Sequence, residues 1–513
     1  MFDRQHAHLH RLHPGFAACA LALALTGCAA AGPSFVKPTP AAPDDWTSWH
    51  SGDASLRVPA EAAQALPAPW WKAFNDATLD ALEQRAFDAS PDLQTAALRF
   101  AQARVQRSTV AAQRGPEVGT SAGASRQRQS ESGASTRMLG IMGAAPSLTK
   151  LLAEPFTLYQ AGFDASWELD LWGRVRRSVE AADADVGQQA ALLDLARLSL
   201  ASDVARNYFE LRTAQRQSRL MREDIAALEE RAALLQARVD GGVLNHADLQ
   251  RQRAELAALT AQLPPLLAQE AASANQIALL LGERPGALQA ELAPREADAK
   301  TSLPDLALGL PSEVALRRPD IRAAEARLRS ATANIGIAKA NLYPGIRLGA
   351  KFGFESYLSG EFSDWGSRTW SVGPSLNLPI FDHGRRTATV QLRELQQQEA
   401  AVNYQKTVLK AWQEIDDALS AYSAEQQQAQ ELQARSDAAS DAYRLAQARY
   451  DGGITDFTAV LDARRSHLQA RRDLAANQGR LATRFIMVNK ALGNGSGSDH
   501  LPAPSVPPTS SGR

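Results

Sequence analysis

QARVDGG at residues 236–242 returns as QARYDGG at residues 447–453, an offset of 211 residues, and the reading of the fold starts from this pair. The offset recurs upstream: Gly173-Arg174, closing LDLWGR, and Gly384-Arg385, closing PIFDHGR, also lie 211 residues apart. Each half thus has an interval of 68 residues, from Gly173 to Gly241 and from Gly384 to Gly452, with no proline and Gly187 as the only internal glycine. Apolar residues recur at steps of three and four: Val175, Val179, Ala182, Val186, then Met221, Ile225, Leu228, Ala232, Leu235, Val239, and in the second copy Leu432, Ala439, Tyr443, Ala446, Tyr450. A 3.5-residue period is the seam of a coiled coil. An unbroken helix of that size is about 100 Å long. Asp240-Gly241-Gly242 and Asp451-Gly452-Gly453 end the helices, because glycine readily takes the left-handed conformation that follows a helix C-terminus. A second helical pattern follows each turn, over 247–281 (interrupted at Pro264-Pro265) and 458–492, so each half carries a helical hairpin.

Ahead of each hairpin the period drops to two. Tyr159, Ala161, Phe163, Ala165, Trp167 and Leu169 alternate with polar or small residues, as do Ile346, Leu348, Ala350, Phe352, Phe354 and Trp370, Val372, Leu376, Leu378, Ile380; a weaker strand runs from Glu117 to Arg126. A soluble half-buried sheet accounts for any one of these. Four of them, in two hairpins flanked by long helices and each near the length of a tilted membrane strand, predict a membrane barrel. Both halves begin alike: Pro91-Asp92-Leu93 and Pro319-Asp320-Ile321 are each followed 25 residues later by Pro116 and Pro344. The unit reads as a duplication whose first copy has one loop longer by 17 residues. Four strands cannot close a barrel, and open edges in lipid leave unpaired backbone groups, so the chain must oligomerise. The copy number above two stays open on physics alone.

Composition excludes other classes. The 513 residues carry 55 Lys+Arg against 56 Asp+Glu, so no net field recruits nucleic acid, and 22% charged residues is too many for a bundle of membrane helices. The only cysteines, Cys19 and Cys28, rule out a disulfide framework, and the scattered histidines beyond residue 13 argue against a metal site. No Ser-centred nucleophile elbow, HExxH helix or glycine-rich phosphate loop is recognised, so neither enzyme activity nor a cofactor is expected. The ten apolar residues 16–25 behind Arg4 and Arg11 suit a signal peptide. They end in Leu25-Thr26-Gly27-Cys28, which resembles the lipobox of bacterial lipoproteins and marks Cys28 for lipidation; Ala29 after it, in place of Asp, implies the outer membrane.

The expected organisation is a signal peptide (1–27), a lipidated proline-rich tether (28–69), a first repeat (70–282; strand hairpin about 116–170, helical hairpin about 173–282), a linker (283–310), a second repeat (311–492; strand hairpin about 345–381, helical hairpin about 384–492) and a disordered tail (493–513).

Further residues carry a family resemblance: Pro69-Trp70-Trp71-Lys72-Ala73-Phe74 with Leu79 and Leu82, residues 274–282 (ANQIALLLG), Leu310-Pro311-Ser312, residues 317–325 (RRPDIRAAE), and Asn341-Leu342-Tyr343-Pro344. With the two Gly-Gly turns, they make residues 67–492 resemble the outer membrane efflux protein family of TolC/OprM type, in its NodT-like lipoprotein branch. The resemblance implies an α+β membrane protein: a homotrimer whose twelve-stranded outer-membrane barrel, four strands per chain, continues into a periplasmic helical coiled-coil barrel. It implies as partners a periplasmic adaptor (membrane fusion) protein and an inner-membrane pump of the resistance-nodulation-division type. By the same resemblance, Asp248 and Tyr450, with Arg449 beside them, match a periplasmic gate. Asp462 matches one position of an inward acidic ring whose other position is Ala459, and Gly241, Gly242, Gly452 and Gly453 form the adaptor-contacting turns. The expected function is a passive duct exporting small molecules. The alternative is a periplasm-spanning structural lipoprotein without channel activity, and apolar faces on four strands argue against it.

Overall fold

Alternation places the strands correctly in the computed structural model, which describes residues 30–44, 48–57, 69–143, 145–243, 245–294, 306, 308 and 311–495. Strands β1 (Glu117–Gln127), β2 (Phe156–Glu168), β3 (Gly345–Ser356) and β4 (Arg368–Asn377) form one antiparallel sheet in sequence order, with β1 and β4 at its edges. The alternation runs on to Ile380, but β4 ends at Asn377; Pro379 has no N–H to give to a ladder. The signal peptide, Cys28 and the tail beyond Gly495 lie outside the described residues.

The sheet belongs to the first of two compact units, which takes in 103–185 and 327–400. Its register sorts the side chains by face. Thr120, Phe163, Phe352 and Trp370 form one rung, and Val118, Ala165, Ala350 and Val372 the next rung of that face. The opposite face reads Gly119, Asp164, Lys351, Ser371 and then Ser121, Gly162, Gly353, Thr369. The apolar face is uncovered: Phe163 is 61% exposed, Trp370 70% and Val372 73%. On the polar face Gly162 and Gly353 cross at backbone contact, where a Cβ on Gly162 would lie 2.8 Å from the Phe352 carbonyl oxygen and one on Gly353 2.6 Å from that of Ala161.

The long connection between β1 and β2, expected as a loop, contains two short helices, α3 (Ala134–Ile141) and α4 (Pro146–Leu152). Its base is closed by Arg128, whose Nε donates to the Ala153 carbonyl at 3.2 Å and whose Nη2 pairs with Glu131 at 2.9 Å. Within the same unit, residues near Ala31 run alongside the start of the first long helix: Ala31 N donates to the Trp172 carbonyl at 2.9 Å, and Arg177 Nε donates to the Ala31 carbonyl at 3.2 Å.

The second unit takes in the described residues of 37–102, 186–326 and 401–495, and is helical. It includes α1 (Ala77–Ala89), the start of α2 (Pro91–Ala112), most of α5 (Arg174–Asp240), α6 (His246–Thr260), α7 (Leu263–Leu280), α8 (Pro311–Arg317), the start of α9 (Pro319–Ala340), most of α10 (Arg385–Asp451) and α11 (Phe457–Leu492). Helices α5 and α10 each run 67 residues without interruption, as absence of proline allows. Pro264-Pro265 divides α6 from α7 and sits in the first turn of α7, where the missing N–H costs nothing. The core of this unit gathers Trp70, Trp71 and Phe74 from a 3₁₀ turn with Leu79, Leu82, Phe209, Ile277, Ile321 and Phe485. Phe74 packs at 4.5 Å on Phe209 and 5.3 Å on Phe485.

The arginine-proline-aspartate stretch is a cross-brace. Arg318, 6% exposed, donates to both Asp320 carboxylate oxygens (3.0 and 2.7 Å), to Glu414 on α10 (2.6 Å) and to the Ala491 carbonyl on α11 (2.6 Å). Burial works against its charge, but hydrogen bonds and attraction from Asp320 and Glu414 outweigh it, so the guanidinium holds its proton more tightly than usual. The proline-rich segment is bonded here too: Trp412 Nε1 donates to the Ala41 carbonyl at 2.9 Å, and His50 Nδ1 lies 2.7 Å from Asp416. Past the helix stop at Gly493, Asn494 is buried and donates to the Asn489 side chain at 2.9 Å, so ordered structure enters the stretch expected to be a disordered tail.

Candidate functional site

The two Gly-Gly turns are built alike. Gly241 N donates to Ala237, Gly242 N to Val239 and Val243 N to Arg238; Gly452 N donates to Ala448, Gly453 N to Tyr450 and Ile454 N to Arg449, at 2.9–3.1 Å throughout. Gly242 and Gly453 hold φ of +73° and +72°, which L side chains rarely adopt, so the second glycine of each pair is a backbone requirement. The returning helices start on side-chain caps: Asn245 accepts from Ala247 N and Asp456 from Ala459 N, both at 3.0 Å.

An apolar cluster of Leu235, Val239, Leu249, Phe457, Val460 and Leu461 ties the two hairpins together behind the turns, with Tyr443, Ala446 and Tyr450 against it. Over this cluster lies a polar layer. The Tyr450 ring packs 5.6 Å from Phe457, and its hydroxyl accepts from Arg238 at 3.3 Å. Arg251 reaches both Asp248 (3.4 Å) and Thr458 on α11 (3.3 Å), and Arg465 on α11 donates to Glu255 on α6 at 2.6 Å. Arg231 lies 4.5 Å over the Phe457 ring and donates to Gln447 at 3.2 Å; burial first, and Arg464 nearby, pull its pKa below the usual value. A groove of 510 Å³ opens here between Arg231, Arg238, Tyr450, Asp451, Phe457 and Arg464. Deeper in, His467 stacks on Tyr443 at 5.7 Å; burial, then Arg471 and Arg464, lower its pKa, so the ring is neutral at pH 7.

The expected gate residues are thus all near the turns, but within one chain they take other partners. Asp248 stands in the first turn of α6 with Arg251, Tyr450 pairs with Arg238, and among the described residues no hydrogen bond joins Asp248 to Tyr450. Arg449 is exposed in the last turn of α10, and Asp462 is exposed on α11, 4.0 Å from Arg465. Sequence reasoning missed Arg231, Arg238 and Arg251. Each has a partner more than 200 residues away, and only an arginine at helical spacing from each turn hinted at them.

The polar contacts here are mostly solvent-exposed, and each contributes about 0–1 kcal/mol. Such a layer can be unlatched one contact at a time while the apolar cluster holds the hairpins. One spelling needs a correction: Gly119-Thr120-Ser121-Ala122-Gly123 matches the G-x-S-x-G of a nucleophile elbow, but Ser121 sits in the middle of β1, where the elbow requires a turn between strand and helix. No cluster of potential metal ligands occurs among the described residues. No described helix is long and apolar enough to cross a membrane.

Known proteins resemble this chain over nearly its whole length. The family described as outer membrane efflux protein matches residues 82–283 and 310–494. Outer membrane protein OprJ of Pseudomonas aeruginosa is 32% identical over 489 residues, covering 94% of this chain and 96% of that protein. The pyoverdine export outer membrane protein OpmQ of Pseudomonas putida is 32% identical, covering 93% and 97%. The solved structure of the outer-membrane channel OprN superposes with a TM-score of 0.80 at 32% identity, covering 91% of this chain and 99% of that one.

Proposed function

Since the chain belongs to the outer membrane efflux protein family, we propose that it is the outer-membrane duct of a tripartite efflux system, completed by two sister copies. Three chains supply twelve strands, enough to close a barrel with a lumen, and the paired long helices of each chain supply the wall of a periplasmic conduit. The observation that carries this is the sheet. It has two free edges and an aromatic, uncovered face of Phe163, Phe352 and Trp370, opposite a face of glycine and paired charges such as Asp164 across from Lys351. In lipid each unpaired edge group costs several kcal/mol, so closure by further copies is the stable arrangement. A periplasmic spacer has no use for that face.

The helices support the same reading. The α5 seam is buried within the chain at Val175, Val179, Met221, Leu228, Leu235 and Val239, whereas the α10 seam at Leu432, Ala439, Tyr443, Ala446 and Tyr450 is only half-buried, which leaves it room for a neighbour. The two separate matches of the family to this chain agree with an internal duplication. In this reading Cys28 carries the lipid anchor. The turns at Gly241-Gly242 and Gly452-Gly453 meet an adaptor, and the adaptor links the duct to an inner-membrane pump that supplies the energy. Asp248, Arg449, Tyr450 and Asp462 line the gate, with Arg251 and Arg238 as the resting partners of Asp248 and Tyr450 inside each chain. Cargo enters from the pump side, and the duct needs no chemistry of its own.

Protein purified from outer membranes and reconstituted in planar bilayers tests this. The expected result is a trimer in native mass measurements that conducts ions. A monomer without conductance would refute it.

A further inference from the structure

The connection between β1 and β2 carries a surface that the duct itself does not use. Met138, Ile141 and Met142 on and just after α3, and Leu148, Leu151 and Leu152 on α4, each follow an i, i+3, i+4 spacing that puts them on one side of their helix. All six are exposed, Met142 to 78%. This is not a slack loop. The two helices touch one another, and Arg128 closes the base through the Ala153 carbonyl and Glu131. Antiparallel order places the β3–β4 connection at the same end of the sheet, away from the entry into α5. It too leaves apolar groups bare: Tyr357, Leu358 and Trp365, the last 68% exposed and held by Arg368, which lies 4.5 Å over its ring.

Neighbouring strands lie about 4.8 Å apart. In a closed barrel β1 pairs with the β4 of the adjacent copy, so that copy's β3–β4 connection stands as near to α3 and α4 as the chain's own. The chain's own connection leaves them uncovered, and the adjacent one is the remaining apolar surface within reach. We propose that α3 and α4 form a clasp between copies, their apolar stripes packing on the Tyr357–Trp365 connection of the adjacent chain at the outer mouth of the barrel. This rests on the trimeric duct reading. The clasp would fasten the barrel where strand pairing between copies begins, and Met138 and Met142 suit it because flexible thioethers fill irregular gaps against aromatic rings.

Cysteine pairs test it in full-length protein in outer membranes, since the sequence has no cysteine beyond Cys28. Met142→Cys combined with Trp365→Cys, treated with a short bismaleimide, is expected to give covalent dimers and trimers on a denaturing gel, and each single variant only monomers. Leu151→Cys with Leu358→Cys is the independent second pair. Native mass measurement of the untreated variants separates the two claims. A trimer that neither pair cross-links overturns the clasp and leaves the duct standing, whereas a monomer overturns both. Dimers from Met142→Cys alone would mean the hairpins meet each other on the axis, which also overturns it. So would labelling of Met142→Cys by a membrane-partitioned maleimide and not by a water-soluble one, because the hairpin would then lie in lipid.

Discussion

Glu83 sits in the helical core with both carboxylate oxygens buried and unpartnered. Burial, and then Asp80 one turn earlier, push its pKa well above the ordinary carboxylate value. The folded protein therefore keeps a proton that the unfolded chain releases above about 4.5, the ordinary value. Its contribution to stability is complete below that pH and is lost as pH rises towards the folded-state pKa. Glu83→Leu should raise the thermal midpoint at pH 7.5 and change it little at pH 4.5, with a gain of about 1–3 kcal/mol at the higher pH. Thermal melts of both proteins at the two pH values check this. Arg318 is the opposite case, a buried charge whose three nitrogens all donate. Arg318→Ala should cost about 2–4 kcal/mol, below the full cost of breaking a buried pair because Glu414 is partly solvated; denaturant melts read it. At the turns, Asp248→Ala with Tyr450→Phe should increase single-channel conductance in bilayers and leave the trimer mass unchanged.

At the scale of elements, the strands were legible because a one-residue slip would turn Phe163 and Trp167 to the polar face, so alternation is enforced wherever one face meets an apolar phase. The helical hairpins were legible for a similar reason, since Gly242 and Gly453 occupy positions that only glycine fills easily. Gly242→Val should destabilise the turn by about 1–2 kcal/mol and show as faster amide exchange in Val239 to Val243, with the sheet unaffected. Helices α3 and α4 were not legible, because one turn of apolar spacing on a seven- or eight-residue helix is too short to separate from chance. The polar layer at the turns was only half legible. Asp248 and Tyr450 could be matched by position, but their partners inside the chain, Arg251 and Arg238, are fixed by how four helices meet, and no local pattern reports that.

For the whole molecule, the near-zero net charge and the free sheet edges point to assembly by shape and strand pairing, with little steering from long-range fields. Protease added to intact cells should cut within 129–152 or 358–367 and spare the helical turns, which periplasmic protease alone should reach; fragment masses distinguish the two. The crossing of Gly162 and Gly353 bears on how such a wall tolerates change. In most proteins the water-facing positions vary freely and the greasy ones are restricted. Here a single methyl group at either glycine would strike a carbonyl of the adjoining strand, while Val118 and Val372 are exposed and, in the proposed barrel, meet a fluid that accepts any oily replacement. A saturation library of the four strands should therefore show its blanks on the wet side of the wall and its latitude on the oily side.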